Sequence, residues 1–406
     1  MWCPIRPRRG IGSTAASFIF LIGALIVLSA CNTSRIALPG ASAERIPIGN
    51  APVTGEVLGT GPVKVALLLP LSATGNAGQI ALNLKNAADL ALREFQTPAI
   101  QLLVKDDRGT PQGARAATTE AIQQGAELII GPLFAQSVSA AAAIAKPSNV
   151  PIVAFSTDTS SAARGVYLLS FLPQTDIERI VGYAGSQGKR SFAALLPANA
   201  YGTVVEAAMQ KSVANIGGRV MALERYQLDK TSMQEKATVI SNLAKSGTVD
   251  AILLPDAGDA APFLGQILAA SGVSPTLIQY LGSGQWADAR IAQESNLNGA
   301  WYPAPENAGF EAFSRRYKAA FGATPFRAAT LAYDATSLAS GLAARFGDRR
   351  FSADVLTSPS GFIGLDGAFR LLSSGLNERG LAIYRIDRGQ VTIVNPAPRT
   401  FTRSGT

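Results

Sequence analysis

The chain contains no histidine. Ser-His-Asp hydrolysis, Cys-His chemistry and histidine-ligated metal are thereby excluded, because each needs an imidazole as base or ligand. Cysteine is nearly absent as well. Cys3 and Cys31 are the only two and both lie near the start, so the folded part holds no disulfide and no thiolate metal cluster. Charged residues make up only 16% of the chain, and the net charge of +8 falls to +5 once the three leader arginines Arg6, Arg8 and Arg9 are set aside. The remaining basic residues are scattered, with Arg315-Arg316 and Arg349-Arg350 the densest pairs. No basic stripe alternates with aromatics, so nucleic acid is not an expected partner. Apolar residues are plentiful instead, at 47% of 406. That is enough for a substantial core, and at ~150 residues per domain it predicts two or three compact units.

Residues 1–30 read as a lipoprotein signal peptide. Met1–Arg9 is basic and Phe18–Ala30 is an apolar stretch of h-region length. Leu28-Ser29-Ala30-Cys31 resembles the bacterial lipobox, in which the cysteine thiol receives the lipid. An uncleaved anchor is the alternative, because Ile11–Ala30 is uncharged over about the length a membrane-spanning helix needs. Both readings place the folded part outside the inner membrane. Asn32 stands where aspartate would resemble the inner-membrane retention signal, which by that resemblance points to the outer membrane. Residues 31–62 carry Pro39, Gly40, Pro47, Gly49, Pro52, Gly55, Gly59 and Pro62 without a sustained periodic pattern. They read as a lipidated flexible tether.

From Val63 strands and helices alternate. Val63–Leu69 is a continuous apolar run, and Ile80, Leu84, Ala87, Ala91 and Phe95 follow at helical spacing. Gln101–Lys105, Leu128–Ile130, Pro151–Phe155 and Val166–Phe171 give further strands. Leu128-Ile129-Ile130 runs into Gly131-Pro132 and then into the alanine-rich helix that follows Ser137, a strand, tight turn and helix start. Such a turn offers free N–H groups and the positive end of a helix dipole at the strand edge where ligands of open α/β sheets bind. Equally, Gly-Pro can simply end a strand. A second alternation runs from Ile177 to Leu281, so two doubly wound parallel-sheet units of similar size are expected. Two helices with apolar stripes follow, at Phe310–Phe321 and Leu331–Phe346, and then a hairpin with Leu381–Ile386 and Val391–Val394 as its arms.

In this order the motifs resemble the type 1 periplasmic-binding fold of branched-chain amino-acid receptors. They are Leu67-Leu68-Leu69-Pro70-Leu71-Ser72 with Gly75 and Gly78, Gly131-Pro132 with Ser137, Phe155-Ser156-Thr157, Tyr201-Gly202 and Ala332-Tyr333-Asp334-Ala335. The resemblance implies two α/β lobes joined by three crossovers around a ligand cleft. Lobe 1 would be 63–171 plus 303–350, and lobe 2 would be 172–302 plus 351–396, with crossings near Phe171, Tyr302 and Phe351. Gln96-Thr97-Pro98-Ala99 replaces the glycine-rich segment of transporter receptors before the second strand. Phe155-Ser156-Thr157-Asp158, Gly165–Phe171 and Asn199-Ala200-Tyr201-Gly202 are closer to penicillin-binding-protein activators, lipoproteins of the same fold that stimulate peptidoglycan synthases. The expectation is therefore a lipoprotein that activates a penicillin-binding protein. The alternative is an amino-acid or polar-metabolite receptor of an ABC transporter.

If the cleft takes an amino-acid-like ligand, its carboxylate should meet the N–H groups of Leu133–Ser137, with Ser72, Gly131 and Pro132 beside them. The hydroxyls of Ser137, Ser156 and Thr157 would assist. Asp158 or Asp256 would face an ammonium group, and Tyr201 and Trp286 would cover the ligand. Each also has a plain structural reading, as helix cap or packing. No catalytic set or cofactor is implied. Ser186-Gln187-Gly188-Lys189 echoes Ser-x-x-Lys but ends a helix rather than starting one. Asp106-Asp107 reads as a strand-end turn.

Overall fold

The computed structural model describes residues 46–401; the expected signal peptide and the lipidation site Cys31 lie outside them. The first lobe is laid down by β1 (Val57–Leu58), β2 (Val63–Leu69), α1 (Gly75–Arg93), β3 (Ile100–Asp106), α2 (Pro111–Gln123), β4 (Leu128–Ile130), α3 (Ala135–Ala145), β5 (Ile152–Ala154) and β6 (Val166–Leu168). Its sheet runs β1-β3-β2-β4-β5-β6, parallel throughout except for β1. The apolar run of β2 is continuous because both sheet faces are covered. Val65, Leu67 and Leu69 share one core with Leu84, Ala87 and Ala88 of α1. Ala66 and Leu68 share the opposite core with Ala117 and Ala121 of α2 and Val138 and Ala141 of α3. Thr110 caps α2 by accepting from Gly113 N at 3.0 Å, with Pro111 as the first helical residue.

The second lobe comprises α4 (Pro173–Ser186), β7 (Ser191–Pro197), α5 (Ala200–Asn215), β8 (Arg219–Tyr226), α6 (Lys230–Lys245), β9 (Ala251–Leu253), α7 (Ala260–Ala270), β10 (Gln279–Leu281), the single turn α8 (Ala289–Ala292) and β11 (Trp301–Ala304). The same alternation recurs. Ala193 and Leu195 of β7 enter a core with α6 and α7, and Phe192, Ala194 and Leu196 enter another with α4 and α5. Asn199 and Asp229 cap α5 and α6 by accepting from Gly202 N and Ser232 N. Trp286, expected over the ligand, is fully buried in this lobe's core, and its Nε1 donates to Asp256 O at 2.9 Å. A large apolar ring behind a strand end is better used filling the core than covering a wet cleft.

After β11 the chain returns to lobe 1 with α9 (Asn307–Phe321) and α10 (Ala329–Phe346). Phe313 and Tyr317 of the expected aromatic stripe are buried there beside Ala332, Ala335 and Ala339. The short helix α11 (Ala353–Leu356) and the antiparallel sheet β12 (Phe362–Gly364), β13 (Gly367–Leu371) and β14 (Asn377–Arg379) follow. Then β15 (Ala382–Asp387) and β16 (Gln390–Asn395) pair as a hairpin and extend the second sheet to the order β16-β15-β11-β10-β9-β7-β8. The third crossing therefore comes at Gly380, not near Phe351. The physical reason is packing: Phe351, Leu356, Phe369 and Leu371 all lie in the core of lobe 1. Residues 351–379, expected in lobe 2, belong to lobe 1.

The expected tether ends earlier than residue 62. Ile46 and Val53 pack onto the lobe 1 core that holds α2 and α3. Gly49 N and Ala51 N donate to Ile122 O and Gln123 O, and Val57–Leu58 pairs antiparallel with Leu102–Leu103 of β3. Lys105, almost fully buried, donates to Thr54 O at 2.8 Å and to Glu120 Oε1 at 2.7 Å. From Ile46 on, the segment is a docked strap. Among the described residues no helix is long and apolar enough to cross a membrane.

Two outcomes follow for urea unfolding of the mature chain. Deleting the strap through Leu58 should lower stability by roughly 2–4 kcal/mol, because it bares apolar surface and strips a buried ammonium of its carbonyl partner. Trp286→Ala should cost about 3–5 kcal/mol, as for other buried aromatics; an unchanged midpoint would place the ring at a rim after all.

Candidate functional site

The carboxyl ends of the parallel strands of both lobes converge on one cleft, the edge at which α/β sheets present loops and helix N-termini. A cavity of about 340 Å³ lies there. Thr157, after β5, and Phe171, at the first crossing, line it from lobe 1, and Arg327, before α10, joins them. Pro173 and Asp176 of α4, Tyr201 of α5 and the Gly284–Gln285 turn line it from lobe 2, with Pro305 at the second crossing. Most of this wall is apolar or aromatic, and a few polar groups converge on it, as in small-molecule sites generally.

Asp176 is the most perturbed group in the cleft. It sits in the first turn of α4, and its Oδ2 accepts one hydrogen bond, from Gly284 N at 2.9 Å. Desolvation at this half-buried position pushes its carboxyl up to about 7, and the single N–H only partly offsets that. A Cβ at position 284 would lie 2.7 Å from Asp176 Oδ2, so any larger residue there would push the carboxyl aside. Tyr201 OH lies 3.1 Å from both Pro255 O and Ser283 Oγ, and burial pushes its phenol up to about 12. Ser283 itself donates to Pro255 O at 2.6 Å.

Of the residues expected from the sequence, Thr157 and Tyr201 line this cavity and the others do not. Ser137 is fully buried within α3, and its hydroxyl has no partner. Gly131 and Pro132 are buried in a cis-linked turn where a Cβ on Gly131 would meet Leu68 O at 2.1 Å. The start of α3 is flanked by a neighbouring loop: the Phe134 ring lies against Gly109, and Gln136 Nε2 donates to Gly109 O. Ser156 Oγ accepts from Asp158 N at 3.1 Å. Asp158 accepts from Ser160 N, and the Ser160 hydroxyl and N–H hold its carboxyl below the usual range. Asp256 accepts from Tyr226 OH and Ala257 N, both at 2.9 Å, and α7 begins beyond it. Ser72 is exposed in the turn after β2, where its N–H donates to Asp106 Oδ1. Asp106 and Asp107 cap that turn and its neighbour through Arg108 N and Gly109 N. Among the described residues no group of three or more acidic or sulfur side chains could hold a metal ion.

Asp176 and Arg327 were not anticipated. The available signal for Asp176 was position: an acid in the first helical turn after a crossing, behind Pro173. Arg327 offered none, because its place in the cleft depends on the return of α9 and α10 to lobe 1.

Known proteins share this fold. The profile of the periplasmic binding protein family matches residues 62–390. A branched-chain amino acid ABC transporter periplasmic ligand-binding protein from Burkholderia xenovorans LB400 superposes with a TM-score of 0.64 at 16% identity, covering 83% of this chain and 96% of its own. A Rhodopseudomonas palustris solute-binding protein in complex with benzoate gives 0.56 at 20% identity, covering 85% and 98%. The isoleucine-bound substrate-binding protein LivJ of Streptococcus pneumoniae gives 0.54 at 18%, covering 82% and 99%. At these identities the likeness is one of fold. An uncharacterized protein of Rickettsia prowazekii (strain Madrid E) is 22% identical over 182 residues, 45% of this chain, and the match spans about half (48%) of that relative. With the family profile covering both lobes and the cleft between them, the chain belongs to the periplasmic binding protein family.

Proposed function

We propose that the chain is a solute-binding protein serving an ABC transporter, and that its ligand is an amino acid or a similar small polar metabolite. The observation that carries this is Asp176, a deeply placed carboxylate holding only one backbone hydrogen bond in a cavity walled by both lobes. A ligand ammonium would complete it, and Tyr201, Thr157 and Gln285 would supply orienting contacts. Relatives of the same fold bound to isoleucine and benzoate support a ligand of this size. On this reading the protein binds its ligand without catalysis. The family suggests a periplasmic location. A lipid on Cys31 would hold the protein in the envelope, and Asn32 favours the outer membrane.

The lipobox, Asn32 and the activator-like turns keep a second reading alive, that of a docking partner for a penicillin-binding protein. The two separate in one comparison. The soluble mature chain should bind amino acids in calorimetry and leave glycan polymerisation by a purified synthase unchanged. Stimulated polymerisation without any small-molecule binding would reverse the assignment.

Binding should also depend on pH in a defined direction. The Asp176 carboxyl is largely neutral below its value of about 7, and a cationic amine needs it ionised. Affinity for a zwitterionic amino acid should therefore rise between about pH 5.5 and pH 8, with up to one proton released per ligand at the acid end. Asp176→Asn should flatten this profile and weaken binding at the alkaline end by about tenfold or more. Without ligand, burial of Asp176 favours the protonated form, so stability falls as pH rises from the ordinary 3.8 to about 7. The asparagine variant should thus be the more stable of the two at about pH 8 and gain nothing at about pH 4.

A further inference from the structure

Arg327 is the one cation among the residues lining the cleft. It is held mainly from behind, with a longer contact from Nη2 to Pro305 O of the wall at 3.5 Å. Its Nη1 donates to Asn307 Oδ1 at 2.8 Å and its Nη2 to Asp366 Oδ1 at 2.7 Å. Its guanidinium carbon stands 5.1 Å from the centre of the Phe310 ring. Asp366 is fully buried, and its other oxygen accepts from Thr330 Oγ1 at 2.6 Å. The side chain is therefore fixed before any ligand arrives; its Nε is buried without a partner among the described residues, and the second hydrogens of Nη1 and Nη2 are the donors left for a ligand.

A second cation reinforces it. Arg379 is 5% exposed and lies 4.7 Å over Phe171, whose ring is part of the cavity wall. Its Nε donates to Ser170 O, and both Nη atoms lack partners among the described residues. Against these two guanidiniums stand Asp366 and Asp334. Asp334 is nearly buried, one of its oxygens is unpartnered, and burial pushes its carboxyl up to about 7. The two guanidiniums thus stand directly behind the cavity wall on the lobe 1 side, and the carboxyl of Asp176 stands across from them on the lobe 2 side.

We propose that Arg327, positioned by Asp366 and Asn307, is the specificity-determining residue of this cleft and selects ligands bearing a carboxylate. This rests on the solute-binding reading and narrows it. A planar, pre-positioned guanidinium pairs well with a carboxylate. A neutral isostere would take water from the same donors without repaying them, which is how polar sites reject analogues that lack the matching group. The apolar wall of Phe171, Pro173, Ala287 and Pro305 accepts the body of such an acid, aliphatic or aromatic. The carboxylate is thereby assigned to Arg327 and not to the start of α3.

The test is calorimetric titration of the mature chain and of Arg327→Gln and Arg327→Lys with matched acid and neutral probes: L-isoleucine against isoleucinol, and benzoate against benzamide. The wild type should bind at least one acid about tenfold or more tighter than its neutral partner. Arg327→Gln should erase that preference, and Arg327→Lys should restore part of it. Asn307→Ala, which loosens Arg327 but keeps its charge, should give an intermediate preference and covers the case in which Arg327→Gln fails to fold. Equal binding of acid and neutral probes by the wild type, or an undiminished preference in Arg327→Gln, would overturn the assignment while leaving the solute-binding reading intact. No binding of any probe by the wild type would overturn both.

Discussion

Two buried hydrogen bonds from the Asn377 side chain, to Leu168 O at 2.7 Å and to Ser170 O at 2.8 Å, join the first crossing to the third at the edge of lobe 1. Leu168 and Ser170 stand where the chain first leaves lobe 1, and Asn377 stands where it leaves for the last time. A strand that exits a sheet loses its neighbour, and its carbonyls must find other donors if they stay buried. Asn377 and Arg379 provide them, and Leu168 N donates in turn to Gly375 O. Tyr384 OH, on the hairpin that completes the second sheet, bonds Pro305 O and so ties the third crossing to the second. The three crossings form one hydrogen-bonded hinge line along the floor of the cleft.

The chemistry of the cleft reflects how little polar capacity the protein leaves unused. Ser156, Asp158, Asp256 and Ser283 all sit at strand ends, yet each is consumed by a turn, a buried hydroxyl or a carbonyl. A polar group already satisfied by its own fold gains little from a ligand. The groups with spare capacity are few, and the two charged ones stand on opposite walls. In a solute-binding reading, recognition would be concentrated where satisfaction is incomplete.

Much of the fold was legible in the sequence because burial on both faces leaves a plain signature. Val63–Leu69 and Leu128–Ile130 could only be central parallel strands, and the alternation of such runs with amphipathic helices fixed the two-lobed plan. The cleft followed from topology, and Tyr201 and Thr157 with it. What escaped notice depends on long-range contact. Phe351, Phe369 and Leu371 look like generic apolar residues, and only their common core shows that the third crossing comes late. Trp286 sits in a glycine-rich turn that reads as a ligand loop, but the ring turns inward. Arg327 and Asp366 are 39 residues apart in sequence and meet only in the finished fold. The strap was hidden by its prolines and glycines, which spell flexibility in isolation.

That strap bears on how the protein coexists with copies of itself. The open edge of β3 would offer a row of unpaired N–H and C=O groups to any passing strand, the usual route to edge-to-edge association. Val57–Leu58 occupies that edge with an antiparallel segment taken from the protein's own approach to the lobe. On the second lobe, edge strand β8 is guarded differently, by the charged side chains of Arg219, Glu224 and Arg225, two of them in ion pairs with the helices beside it. The strap that packs against α2 thus also makes the nearest sheet edge unreceptive to neighbouring copies of the protein.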